Sequence, residues 1–235
     1  MKVSSWNYPK VGNLDGESED ALFFDSDKGM FSVADGASES IFSGVWAKVL
    51  TSLYIELSPD LDSEDEIFDF LSQSRDVWLS SIQWDKLRWN VKNKAVHGSY
   101  STFLGVKFEK SDRLICYAVG DSCIFRVRDN QIVSFPISNS AEFGLHPELI
   151  WSGYGNPLQR KKNTKVVKLE KTELNCNSGD RIILATDALS KYIMDNGITF
   201  VNSLEENFSD KSLFDELRTS GNMKNDDVSG IFIST

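Results

Sequence analysis

Residues 20–36 read Asp20-Ala21-Leu22-Phe23-Phe24-Asp25-Ser26-Asp27-Lys28-Gly29-Met30-Phe31-Ser32-Val33-Ala34-Asp35-Gly36. Two short apolar runs, Ala21–Phe24 and Met30–Val33, flank Asp25–Gly29, whose glycine is free to take a positive φ. The stretch predicts a β-hairpin. A carboxylate stands at each outer edge of it, Asp20 before the first run and Asp35 after the second. The same placement recurs at Asp187, which closes Ile182-Ile183-Leu184-Ala185-Thr186, and at Asp226, which opens Asp226-Asp227-Val228. A strand that begins or ends in a carboxylate delivers that charge to the rim of a sheet. Several such rims side by side make a cage of hard oxygen ligands, and adjacent unpaired carboxylates repel unless a cation joins them. That chemistry suits Mg²⁺ or Mn²⁺ rather than zinc.

Working outward, the period changes after Asp35-Gly36. Ile41, Val45, Val49 and Leu53 recur at helical spacing within Ser38–Leu57, with Ser38 or Ser40 as the expected cap. A second helix is expected over Ser63–Leu87, opened by Ser63-Glu64-Asp65-Glu66 and striped by Ile67, Phe70, Leu71, Val77, Trp78 and Ile82. Strand-like runs follow at Thr102–Phe108, Leu114–Val119, Cys123–Arg128, Gln131–Phe135, Lys165–Leu169 and Arg181–Thr186, with a tight turn at Arg128–Gln131. Helices are expected at Ser190–Asn196 and Ser203–Arg218, and a last strand at Val228–Ile233. Ser138–Lys165 lacks periodicity and reads as a surface excursion or flap. Strands, helices, strands, helices and a final strand suggest α+β layering, and residues 1–235 read as a single domain.

The 235 residues are 40% hydrophobic and 26% charged, ordinary values for a chain with a substantial core. A net charge of -10 argues against nucleic acid as partner. The three cysteines, Cys116, Cys123 and Cys176, lack metal-ligand spacing and read as buried thiols. The residues Met1–Trp6 show no apolar leader and no run is long enough to span a bilayer, so the expectation is a cytoplasmic protein without membrane contact. The two histidines, His97 and His146, read as structural residues, with His97, beside Gly98-Ser99, the better functional candidate of the pair. Arg160-Lys161-Lys162, with Lys165 and Lys168, is the concentrated positive charge of the chain.

With these residues in view, the sequence resembles the metal-dependent serine/threonine phosphatases of the protein phosphatase 2C type. Ser18-Glu19-Asp20-Ala21 is similar to the family's first acidic motif, and Val33-Ala34-Asp35-Gly36 to its Asp-Gly motif. Ser101-Thr102 and Ala118-Val119-Gly120-Asp121-Ser122 resemble its Gly-Ser-Thr and Val-Gly-Asp-Ser strands. Gly179–Asp187 resembles its Gly-Asp-x-hydrophobic-Ser-Asp-Gly strand, and Asp226-Asp227-Val228-Ser229 its Asp-Asn-hydrophobic-Thr motif. The resemblance implies a four-layer αββα sandwich, two central and mainly antiparallel sheets flanked by helices. It implies two Mn²⁺ or Mg²⁺ ions, water as nucleophile and a phosphorylated protein as substrate.

By that carry-over Asp35 bridges the ions, Gly36 gives its carbonyl, and Asp187 and Asp226 hold the first ion. Glu19 or Asp20 serves the second, and Asp121 a further, weaker one. The family's arginine for the substrate phosphate has no counterpart in Asn13–Glu17; Lys10 is the nearest cation, with Arg160, Lys161 and Lys162 as substitutes from the flap. The general-acid histidine of some members is absent, Ala188 replaces a glycine, and Asp227 replaces the asparagine. Two rival readings stand beside the protein phosphatase: a binding module on the same fold, and a phosphatase for small molecules. The sequence leaves the oligomeric state open.

Overall fold

The computed structural model describes residues 1–109, 112–144, 147–153, 168–207 and 209–235. In chain order the elements are β1 (Lys2–Tyr8), β2 (Ala21–Asp25), β3 (Met30–Ala34), α1 (Ser43–Leu57), α2 (Glu64–Ser81), α3 (Trp89–Ala95), β4 (Tyr100–Ser101), β5 (Phe103–Glu109), β6 (Arg113–Val119), β7 (Cys123–Arg128), β8 (Gln131–Phe135), β9 (Ile150–Trp151), β10 (Glu170–Asn175), β11 (Arg181–Ala185), α4 (Asp187–Asn207), α5 (Lys211–Thr219) and β12 (Val228–Ser234). Two five-stranded sheets run β1-β12-β11-β7-β8 and β10-β6-β5-β3-β2, and β4 pairs with β9 separately. Every pairing is antiparallel.

The layering follows from strands that are apolar on both faces. In β6, Leu114, Cys116 and Ala118 point one way, packing with Ile182 and Leu184 of β11 and Ile231 and Ile233 of β12 between the sheets. The alternate residues Ile115, Tyr117 and Val119 face Trp46, Leu50 and Tyr54 of α1 and Phe70 and Trp78 of α2. On the far side, Phe125, Ile183 and Phe232 bury against Leu189, Ile193 and Val201 of α4 and Phe214 of α5. Three apolar layers between four sets of elements make the αββα sandwich that the family resemblance implies. No helix among the described residues is long and apolar enough to cross a membrane.

The hairpin of residues 21–34 forms with Gly29 at φ 66°, and Asp129 and Asn130 turn β7 into β8 at φ 48° and 60°. Ser63 caps α2 in a reciprocal box with Glu66. The α1 cap differs from expectation. Phe42, not Ser38 or Ser40, holds the N-cap in a left-handed conformation with no side-chain bond, because Ser38 is committed to Glu19 and Ser40 to the Ala37 carbonyl. α2 ends at Ser81 rather than Leu87, where the chain turns through a short 3₁₀ segment, Trp84–Lys86. α4 begins at Asp187 and is kinked at Gly197 (φ 60°, ψ -146°), so the helices expected at 190–196 and 203–218 are one broken helix followed by α5. Most of the Lys165–Leu169 run lies outside the described residues, and the strand in that region is β10.

Candidate active site

The registers place the functional ends of the strands together. Ala34 of β3 pairs with Ala21 of β2, and Val119 of β6 with Phe103 of β5. In the other sheet Ala185 of β11 pairs with both Cys123 of β7 and Gly230 of β12. Asp20, Asp35, Asp121, Asp187 and Asp226 therefore gather at one end of the sandwich, and Asp35 faces the other four across a short range. That end was readable from the aspartates at strand edges.

Asp35 is fixed through its backbone. Its N–H donates to Thr102 Oγ1 (2.8 Å), and its carbonyl accepts from Ser101 Oγ (2.8 Å) and the Thr102 N–H (2.9 Å). Thr102 in turn shares a bond with Ser122 beside Asp121. The Asp35 carboxylate takes no hydrogen bond from the described residues. Burial, then the charges of Asp20, Asp187, Asp226 and Asp121, hold it well above the usual carboxylate range. Gly36 follows in close quarters, its N–H donating to the Glu19 carbonyl (3.2 Å).

Asp20 is 1% exposed and accepts from Thr186 Oγ1 (2.8 Å), and burial pushes its carboxyl well up. Thr186 also bonds the backbone of Ser229, so one hydroxyl joins β2, β11 and β12 behind the site. Asp187 and Asp226 face each other across the Lys224 ammonium, which lies 3.0 Å from Asp187 Oδ2 and 2.6 Å from Asp226 Oδ2. Burial raises the Asp187 carboxyl, with Lys224 opposing and Asp226 adding. Asp121, 7% exposed, is pushed up to about 6 by burial and by Asp187.

Glu19 lies at the edge of this group. Its carboxylate accepts from Ser38 Oγ (2.5 Å) and Ser43 Oγ (2.8 Å), with Lys10 Nζ 3.6 Å away. Lys10 is positioned by Asp227, whose two oxygens accept the Lys10 and Glu19 N–H groups at 2.7 Å each. Arg218, buried in α5, donates to the carbonyls of Pro9 and Asp226 (2.9 Å each) and pairs with Asp215. Arg160, Lys161, Lys162 and His146 lie outside the described residues, and His97 is exposed. Lys224 and Arg218 are site residues that sequence reading missed, since no local motif distinguishes them from ordinary helix-end and loop cations.

A cation fits this arrangement because Asp35 is a partly buried carboxylate without a donor among the described residues, facing like charges. Among the described residues no three acidic, histidine or cysteine side chains converge as a ready-made cage, and the Lys224 ammonium lies between Asp187 and Asp226.

A family model described as protein phosphatase 2C matches residues 15–225. No curated protein matches the chain. Among solved structures, the serine/threonine phosphatase PstP/Ppp of Mycobacterium tuberculosis is 15% identical with a TM-score of 0.63, over 98% of this chain and 97% of that one. The catalytic domain of PstP, described in complex with 2 manganese ions, is 15% identical with a TM-score of 0.64, over 98% of this chain and 96% of that one. The S. agalactiae serine/threonine phosphatase is 16% identical with a TM-score of 0.62, over 100% of both chains. At such identities the likeness of the structures concerns the fold.

Proposed function

Because the chain belongs to the protein phosphatase 2C family, we propose that it is a Mn²⁺- or Mg²⁺-dependent phosphomonoesterase acting on phosphoserine or phosphothreonine of a protein. The observation that carries this reading is the Asp35 carboxylate, without a donor among the described residues and faced by four other acids. Asp35, the Gly36 carbonyl, Asp187 and Asp226 are the residues we assign to the ions, with Glu19 and Asp20 beside them and Asp121 for a further one. Divalent ions, when bound, supply Lewis acidity toward water and the phosphoryl oxygens. The PstP neighbour, described with 2 manganese ions, supports the choice of metal.

The chain's own residues do the positioning. Ser101 and Thr102 hold the Asp35 backbone at the strand edge from which its carboxylate projects. Thr186 fixes Asp20 behind it, and Asp227 and Arg218 tie the segment carrying Lys10 to the segment carrying Asp226. Lys10 brings a point charge to the mouth beside Glu19, a weaker phosphate partner than a bidentate arginine. Burial pushes the Cys116 and Cys123 thiols up to about 12, which removes them as nucleophiles and favours water in that role. We assign the activity to residues 1–235 acting as one domain.

Hydrolysis of p-nitrophenyl phosphate and of a phosphothreonine peptide tests the reading. Turnover is expected with Mn²⁺, lost in chelator, and reduced roughly 100-fold or more in Asp35→Asn. Metal binding without turnover on either substrate would sink the hydrolase and leave a binding module. Neither binding nor turnover would also remove the ion site.

A further inference from the structure

We propose that Lys224 is a tethered counter-ion that holds the place of a divalent cation between Asp187 and Asp226 and is displaced when one binds. The proposal rests on the assignment of those two acids to an ion. Its basis is geometric: one ammonium contacts the Oδ2 atoms of both carboxylates, at 3.0 and 2.6 Å. Those atoms belong to elements that only the fold brings together, the first residue of α4 and the approach to β12.

The loop that carries Lys224 is pinned on both sides of it. Met223 is buried and its N–H donates to the Leu217 carbonyl (2.9 Å). Asn225 accepts the Val11 N–H (2.9 Å), and Arg218 holds the Asp226 carbonyl. The backbone therefore stays while the four-carbon stem is free to swing. The side chain is 61% exposed, so the route out of the acid pair leads directly into solvent. A single ammonium offsets only part of the charge of the facing acids, whereas a divalent ion offsets more and can coordinate both. The lysine thus prevents collapse or repulsion of the pair in metal-free protein and gives way to an ion of higher charge.

Calorimetric titration of Mn²⁺ into wild type, Lys224→Met and Asp187→Asn tests this. Methionine keeps the stem and drops the charge. The expected result is roughly tenfold tighter binding in Lys224→Met, from removal of two partly exposed ion pairs that binding must break, and weaker binding in Asp187→Asn. In wild type, acylation of Lys224 by acetic anhydride, read by mass spectrometry, is expected to rise when Mn²⁺ is added, which needs no variant to fold. Wild-type affinity in Lys224→Met together with unchanged labelling overturns the counter-ion while Asp187→Asn still reports the ion site. Unchanged affinity in Asp187→Asn overturns the ion assignment itself, and the counter-ion with it.

Discussion

Gly36 shows how little room the site leaves around its backbone. A methyl group on its Cα would lie 2.6 Å from the Ser43 carbonyl carbon and 2.8 Å from the Glu19 carbonyl oxygen. Both are main-chain atoms, so no rotamer change relieves the clash. Gly36→Ala is expected to cost about 1–3 kcal/mol in a urea melt and to weaken Mn²⁺ binding, because Glu19 and α1 must both retreat. An unchanged melt would mean that the approach is looser than it stands. At this scale the aspartates were legible because each ends or begins an apolar run. Lys224 was not, since Asp187 lies 37 positions away and only the β11–β12 pairing makes them neighbours. Asp227 was legible as a departure from the family's asparagine but not as the clamp on Lys10 and Glu19.

Among the elements, α5 does more than cover a sheet. Its Arg218 side chain is fully buried and reaches two carbonyls from opposite ends of the chain, those of Pro9 and Asp226. Arg218→Met leaves those acceptors without their donor, and a loss of about 2–4 kcal/mol is expected by denaturant unfolding. Mn²⁺ affinity should fall as well, since Asp226 loses its anchor; stability loss with affinity intact would confine Arg218 to packing. The interior strands were legible as unbroken apolar runs, which is what burial on both faces demands. β1 and β10 escaped notice because they are sheet edges, where Lys2-Val3-Ser4-Ser5 and Glu170-Lys171-Thr172-Glu173 carry polar residues that suit an exposed flank. The cap of α1 escaped because both candidate serines serve other partners.

For the whole molecule, the gathered acids set the response to pH and metal. Asp20, Asp35, Asp121 and Asp187 titrate above their unfolded values, so the native state without metal binds more protons than the unfolded chain above about pH 4. Stability in chelator is therefore expected to fall as pH rises from 5 to 7, with the Asp121 part complete just above its value of about 6. Asp62, Asp180 and Asp210 are held low and act oppositely, but their contribution is lost only below about pH 4. Mn²⁺ at 100 times its Kd should add about 2.7 kcal/mol, a rise of roughly 5–10 °C in Tm at pH 7. Thermal melts with and without chelator across that range check the sign, and a chelated protein that gains stability toward pH 7 would contradict the gathered acids. The layers themselves were legible from the order of strands and helices, whereas the face each strand turns to which layer emerges only from register.

The pairing of the first strand with the last has a mechanical meaning. Lys2 lies opposite Ser234 and Tyr8 opposite Val228, so both ends of the ladder start at the same edge. Tension between residues 2 and 234 pulls on one rung at a time, opening β1 as a zip rather than loading all its bonds together in shear. The last rung to part adjoins Pro9 and Asp226, where Arg218 holds both strands. A pulled molecule would lose its seam first and its acid cluster only when that knot gives way.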